Sequence, residues 1–337
     1  MAKVKLAVIG CGGFVRSHLR AISDGVPEFR VVALCDVVRE RAEAHRKEFF
    51  ARRRVAVHTD HREMLAEVQP EAVIVSTPHT LHFRHCFDAL SAGAHVMVEK
   101  PMVTNARHAR RLVRKAEKAA RVLQIAIQGT YTDTFAYARR LLSDGTMGEL
   151  QLVTAALAQD WLNIVGGSWR TDPGLSGGGQ LYDSMAHVLS AMMYLVDSPV
   201  REVFCWTDKK GCEVDVNAVG CIKFVNGAMA SITSGGNSRS WLSHLYLQGT
   251  EGLMEVSPHG GDFRVTRGAP WRDPEPPIVG VPDDWDIPTV APVRNFADAI
   301  LHGQTPRCGG RMGILLADLM DALYESAATG KAVTVQA

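Results

Sequence analysis

The stretch "VKLAVIGCGGFVRSHL", residues 4–19, decides the fold. It opens as an apolar run broken only by Lys5, stops at Gly10, and continues through Gly10-x-Gly12-x-x-Val15 into helical spacing. A strand that turns through glycines directly into a helix suits a dinucleotide. The first glycine allows the tight turn and the second lets the backbone approach the pyrophosphate. The helix N-terminus then offers unpaired N–H groups and the positive end of its dipole. The third position of such turns is usually Gly or Ala, and here it is Val15. Plain strand–helix turns also use glycine, so this stretch alone leaves both readings open.

The second strand narrows the choice. "FRVVALCD" (29–36) ends on Asp36, about 20 residues beyond the glycines, where a carboxylate can accept the ribose hydroxyls of NAD. The same charge would repel the 2′-phosphate of NADP, although an Asp at that point also serves as an ordinary helix cap. With both features in register, the expectation is a dinucleotide held by Gly10, Gly12, Gly13, Phe14, Val15 and Asp36, and NAD in preference to NADP.

Working outward, further apolar runs fall at 55–59, "EAVIVSTP" (71–78), "HVMVEK" (95–100) and "VLQIAIQ" (122–128). Between them lie helical stretches at Phe14–Ser23, Val38–Phe50, His61–Val68, Leu81–Ala92 and Asn105–Ala120. Strand and helix in alternation predict a doubly wound parallel sheet, with strands apolar on both faces. Past about residue 148 the pattern changes to "ELQLVTAALAQD", "VREVFCWTDKK", "NAVGCIKFVNGAMASITSG", "HLYLQGTEGLMEVSP" and "DFRVTR", with turns such as Asn226-Gly227. These predict a large, mostly antiparallel sheet, open on one face until something covers it. One strong helix is expected over Gly179–Val196 and a closing one over Arg311–Thr329. The Pro-rich, acidic stretch 269–289 reads as an irregular surface loop. The fold class is therefore α/β, with a dinucleotide-binding domain over 1–122 and an α+β substrate-binding and oligomerisation domain over 123–337.

Composition bounds the function. The 337 residues are 46% hydrophobic and 22% charged with a net charge of +1, which gives no whole-molecule attraction to nucleic acid or anionic lipid. No apolar run approaches the about 18 residues that span a bilayer, and the N-terminus lacks an export-type cleavage site. Seven widely spaced cysteines without a CxxC predict reduced thiols and a cytoplasmic protein. The basic helix "RHARRLVRKAEKAAR" (107–121) keeps Val113 and Ala116 on an apolar stripe and reads as a solvated face. His79, His82 and His85 are three apart, but no acid or thiol completes a metal site, and none is expected.

Ligands of a doubly wound sheet sit outside the carboxyl ends of its strands. Three strands end there in polar residues: Ser76-Thr77-Pro78-His79, Lys100-Pro101, and "QGTY" (128–131). An ammonium at Lys100 could polarise an alcohol oxygen or stabilise its developing charge, or it could simply reach solvent. In "SGGGQLYDSMAHVL" (176–189), Asp183 and His187 are four apart on the expected helix and so share a face. They could form an acid/base unit at neutral pH, and a surface Asp–His pair would look the same. Trp161, Trp169 and Arg170 are candidate pocket residues, since an indole suits the C–H face of a sugar and Arg suits hydroxyls. Core packing is the plainer reading of each Trp.

Together these residues resemble the Gfo/Idh/MocA oxidoreductase family, which includes glucose-fructose oxidoreductase and inositol 2-dehydrogenase. The resemblance rests on "ALCDVVRERAEA", "VIVSTPHTLH", "ALSAGAHVMVEKP", "DGTMGEL", "WRTDPGLSGGGQLYDSMAH", "QGTEGLMEV" and "NFADAILHGQTP". It implies an N-terminal Rossmann domain, a C-terminal domain with a large open sheet, and homodimers or homotetramers formed through that sheet. It implies Lys100, Asp183 and His187 as catalytic residues, a Lys100–Pro101 bond that is often cis, and a sugar or cyclic polyol oxidised with NAD. The cofactor set then extends to Ser76, Thr77, Pro78, His79, His82, Glu99, Lys100 and Gln128. Tyr131, Trp161, Trp169 and Arg170 join the substrate set. His79 stands where relatives often have Asn, and Ser190 where they often have an acid, so no single relative lends its substrate. Redox-neutral glycoside cleavage, an NADP-dependent reductase and a non-enzymatic NAD sensor are the other readings, the last opposed by the intact Lys100, Asp183 and His187.

Overall fold

The computed structural model describes residues 3–261, 263–269 and 273–335, without the side chains of Gln128, Ala269, Asp273 and Pro274. The chain forms two compact units. One runs up to Ile127 and takes in Val290–Ile314, and the other comprises Gln128–Thr289 and the chain from Leu315 onward.

The first unit is built on six parallel strands: β1 (Val4–Ile9), β2 (Phe29–Cys35), β3 (Ala56–His58), β4 (Ala72–Val75), β5 (His95–Glu99) and β6 (Leu123–Ala126). Their order in the sheet is β3-β2-β1-β4-β5-β6, which reverses between β1 and β4. β6, placed by the sequence reading after a boundary at 122, pairs with β5 in this sheet. The helices α1 (Val15–Gly25), α2 (Arg39–Phe50), α3 (His61–Val68), α4 (His82–Ser91) and α5 (Ala106–Lys118) alternate with the strands as the periodicity predicts. Each helix buries one stripe. In α1 it is Val15, His18, Leu19 and Ile22, and in α5 it is Ala109, Leu112 and Ala116. Part of the basic face of α5 covers aromatic rings of α4, with Arg111 over Phe83 at 5.1 Å and Lys115 over Phe87 at 5.4 Å. Pro292–His302, a helix the sequence reading left unassigned, returns to this unit, and its Phe296 packs 5.8 Å from Phe29.

The second unit is a ten-stranded sheet whose main strands are β7 (Leu150–Ala158), β8 (Val200–Asp208), β9 (Asn217–Phe224), β10 (Met229–Gly235), β11 (Leu242–Gly249), β12 (Gly252–Val256) and β13 (Arg264–Ala269). β7 lies between β10, to which it is parallel, and β11, to which it is antiparallel. β9 and β10 alternate buried and exposed residues over most of their length, the mark of a sheet packed on one face. The buried face meets a helix that starts at Met185, later than the Gly179 expected, and runs to Val196. A further helix, Asp133–Ser143, also escaped the sequence reading. Within the Pro-rich stretch, Pro270, Trp271 and Arg272 lie outside the described residues, as does Asp262. Short strands form at Asp273–Pro274 and Ile278–Val279. No helix among the described residues is long and apolar enough to cross a membrane.

The histidines of "HTLHFRH" are held apart by separate partners. His85 Nδ1 lies 3.0 Å from Thr77 Oγ1, and its ring meets that of His61 edge-on at 4.5 Å. His61 Nε2 in turn pairs with Asp88 at 2.9 Å, as does Arg62. Burial, followed by the neighbouring His61, pushes the pKa of His85 down to about 4. The unfolded chain therefore binds the extra proton between about pH 6.5 and 4, and folding stability should fall as pH drops through that window. Denaturant unfolding at pH 7 and pH 5 should show this loss, on the order of 1–2 kcal/mol from this residue, and His85→Asn should flatten the slope.

Candidate functional site

In the first unit the glycine turn is dictated by crowding. Gly10 has φ +94°, and a Cβ there would lie 2.4 Å from the carbonyl oxygen of Ser76. Only glycine lets the end of β1 pass that close to the end of β4. Around Gly12 and Gly13 a Cβ would meet nothing within 4 Å, so the turn faces open space. Phe14 leads into α1 with no side-chain cap, so the positive dipole end faces the turn, while the Arg16 and Ser17 N–H groups bond the Gly13 and Phe14 carbonyls. Val15 is fully buried in the core, so the larger third residue is absorbed by packing. Asp36, at the end of β2, accepts N–H bonds from Cys11 (2.7 Å) and Val38 (2.9 Å), which fixes a carboxylate beside the turn. His45 of α2 lies 3.2 Å from the Gly12 carbonyl. Burial pushes the Cys11 and Cys35 thiols up to about 12, so sulfur near the turn stays neutral. An unblocked turn, an uncapped helix start and a fixed carboxylate at the end of β2 fit a dinucleotide.

The carboxyl ends of β4 and β5 are tied together by buried polar groups. Glu99 accepts from His18 Nε2 at 2.5 Å and from the Lys100 N–H at 3.3 Å. Its carboxylate thus binds α1 to the lysine-bearing loop, a positioning role the sequence reading, which put Glu99 on the cofactor, did not foresee. His82 is fully buried, with Nδ1 2.8 Å from the Pro101 carbonyl and Nε2 2.7 Å from the Thr77 carbonyl. Burial lowers its pKa, opposed by the two carbonyls. Its place is between two backbone segments, so it holds Thr77 and Pro101 in register. His79 packs edge-on to His82 at 5.9 Å. The Lys100–Pro101 bond is cis, as the family resemblance implies, and Lys100 is 9% exposed. Gln128 opens a 3-10 turn, and its side chain lies outside the described residues.

In the second unit the triple glycine also answers to crowding. A Cβ on Gly179 would lie 1.8 Å from the Asp215 carbonyl oxygen, and one on Gly178 would lie 2.3 Å from the Tyr324 hydroxyl. Asp215 is buried and its carboxylate accepts the Gly179 N–H (2.7 Å), the Leu181 N–H (2.9 Å) and the Tyr324 hydroxyl (2.6 Å). Tyr324 stacks on Tyr182 at 5.3 Å. Burial, reinforced by the charge of Asp215, raises the Tyr324 phenol well above its usual range and keeps it a donor. This frame fixes the turn that carries Asp183.

Asp183 stands in the hydrogen-bonded turn just before the helix, which begins at Met185 and carries His187 in its first turn. The Oδ2 of Asp183 accepts from Trp161 Nε1 at 2.8 Å and pairs with Arg170 Nε at 3.0 Å. Arg170 in turn lies 4.5 Å over the ring of Trp169. Trp161 packs with Val214 and Val216 and is 1% exposed, so its indole N–H, and no open ring face, serves the site. Tyr131 is buried as deeply. His187 is half-buried, and its ring meets that of His259 at 5.3 Å. His259 Nδ1 lies 2.7 Å from Ser243 Oγ. His259 and Ser243 escaped the sequence reading, since only a His among the turn residues "SPHGGD" hinted at them.

Residues 4–127 match the family described as "Oxidoreductase family, NAD-binding Rossmann fold", and residues 135–255 match the "GFO/IDH/MocA C-terminal domain". D-xylose 1-dehydrogenase (NADP(+)) 2 of Haloferax volcanii is 26% identical over 332 residues, 97% of this chain and 98% of that protein. D-glucoside 3-dehydrogenase of Escherichia coli K12 is 30% identical over 196 residues, 58% of this chain, and the match spans 55% of that protein's length. Among solved structures, levoglucosan dehydrogenase in complex with NADH superposes with a TM-score of 0.88 over 99% of each chain, at 21% identity, a likeness of fold. With both halves matched in order, the chain belongs to the Gfo/Idh/MocA oxidoreductase family.

Proposed function

We propose that the chain is a dehydrogenase that reversibly oxidises a secondary alcohol of a sugar or cyclic polyol, with NAD preferred over NADP. The observation that carries this reading is Lys100 at the carboxyl end of β5, its backbone held by the same carboxylate that holds the helix of the glycine turn. A strand end built in this way in a doubly wound sheet serves a ligand. The sugar class is supported by the names of the D-glucoside and D-xylose dehydrogenase relatives. NAD, when bound, supplies the hydride acceptor. Asp36 favours it, because a 2′-phosphate would meet a carboxylate already fixed by two N–H groups.

In this reading His187 takes the hydroxyl proton of the substrate, since a neutral imidazole has both the acceptor and the basicity for it. Lys100 supplies an ammonium that stabilises the charge developing on a substrate oxygen. Asp183, its rotamer fixed by Trp161 and Arg170, orients the substrate hydroxyls. The seven cysteines carry free thiols, which fits a cytoplasmic place of work.

The open face of the second unit's sheet exposes Leu152, Trp206, Val219 and Met229. A groove of about 550 Å³ runs there beside Phe204 and Cys221. A second copy of the chain covers this face in our reading, because an apolar sheet face of this breadth is costly in water.

Three tests follow from these assignments. His187→Ala and Lys100→Ala should each lower kcat about 10²–10⁴-fold, while calorimetry still registers NAD binding; near-normal turnover in both variants would defeat the assignment. Asp36→Ala should shift the ratio of kcat/KM with NAD to that with NADP at least about tenfold toward NADP, and an unchanged ratio would remove Asp36 from the cofactor site. Light scattering should find a dimer or tetramer that Leu152→Arg with Met229→Arg dissociates; a monomeric wild type would end the proposal for the sheet face.

A further inference from the structure

Trp241 stands immediately before β11 and is 61% exposed. Ser243, Leu245 and Leu247 point to the buried, helix-covered face of the sheet, whereas Leu242, His244 and Tyr246 point the other way. Trp241 precedes the strand, and its contact with His259, which bonds Ser243 of the helix-covered face, puts the exposed indole in a row of rings that leads to His187. Its ring meets His259 edge-on at 5.2 Å, and His259 meets His187 at 5.3 Å. Ser243 Oγ, at 2.7 Å from His259 Nδ1, holds the middle ring of the row. An indole left this open, next to a ring anchored by a buried serine, covers no core. It offers a flat apolar face two ring-steps from the proposed base.

We propose that Trp241 is a platform for a second sugar ring, so that the substrate is a glycoside of at least two rings and not a free monosaccharide or inositol. This rests on the reading of His187 given above and extends it. The reacting ring lies at His187, and its neighbour places axial C–H groups on the indole face, where the ring quadrupole attracts them. His259 carries a polar ring edge at the junction and serves the hydroxyls there. A free polyol would leave the indole bare.

The test uses the full chain with NAD and with NADP, and three matched sugar pairs: methyl β-D-glucoside with cellobiose, methyl α-D-glucoside with maltose, and methyl β-D-xyloside with xylobiose. For at least one pair, kcat/KM for the two-ring sugar should exceed that for the one-ring sugar about tenfold. Trp241→Ala should bring that ratio to about one through KM and not kcat, while Trp241→Phe keeps most of it. Equal use of both members of every pair, or a ratio unmoved in Trp241→Ala, overturns the platform and leaves the dehydrogenase reading standing. If no sugar is turned over, that reading is the one in trouble, and saturation-transfer NMR decides the platform separately. Two-ring sugars bound by the wild type and not by Trp241→Ala sustain it, and no binding of any pair overturns it. A change of oligomeric state in Trp241→Ala with no change in sugar binding also overturns it.

Discussion

A buried carboxylate organises the first unit. Glu99 sits at the end of β5 and receives His18 from α1 on one side and the Lys100 N–H on the other. A buried polar group is tolerable only when hydrogen-bonded, and leaving one without its partner costs about 1–3 kcal/mol. The glycine turn and the lysine therefore cannot move independently. His82 acts in parallel, fixing the carbonyls of Thr77 and Pro101 relative to each other. The ends of β4 and β5 are thus tied together by Glu99 and His82.

The second unit solves the same problem with Asp215. Its carboxylate collects two backbone N–H groups and the Tyr324 hydroxyl, and shapes the loop from which Asp183 projects. The glycines of that loop exist because the Asp215 backbone and the stacked tyrosines leave no room for a Cβ. In both units a special backbone is made possible by glycine and held by a buried acid. The residues that touch substrate in our reading stand on those frames.

Much of this was legible in the sequence because it depends on local pattern. Apolar runs and helical spacing mark the six parallel strands and their helices, and the alternation after residue 148 marks the large sheet. Gly10, Asp36 and Lys100 were legible because each ends a strand at a point where the pattern demands a reason. The rest depends on long-range pairs that no periodicity records. His18 and Glu99 are 81 residues apart, and Asp215 and Tyr324 are 109 apart. The helix was expected from Gly179 and begins at Met185, because the residues before it form a turn whose Gly179 and Leu181 N–H groups are held by Asp215. For Trp161 the residue type left a pocket role and core packing both open, and burial against Val214 and Val216 makes it a core residue that donates its indole N–H to Asp183.

The central claim is that a carbon-bound hydrogen of a sugar alcohol leaves for the nicotinamide under the control of Lys100 and His187. The most direct measurement is to incubate the protein with NAD and glycosides deuterated at one ring carbon at a time, and to weigh the cofactor by mass spectrometry. The account predicts one position whose deuterium appears in the cofactor, with the transfer lost in His187→Ala. Sugar product formed while the cofactor stays unlabelled for every position would contradict it.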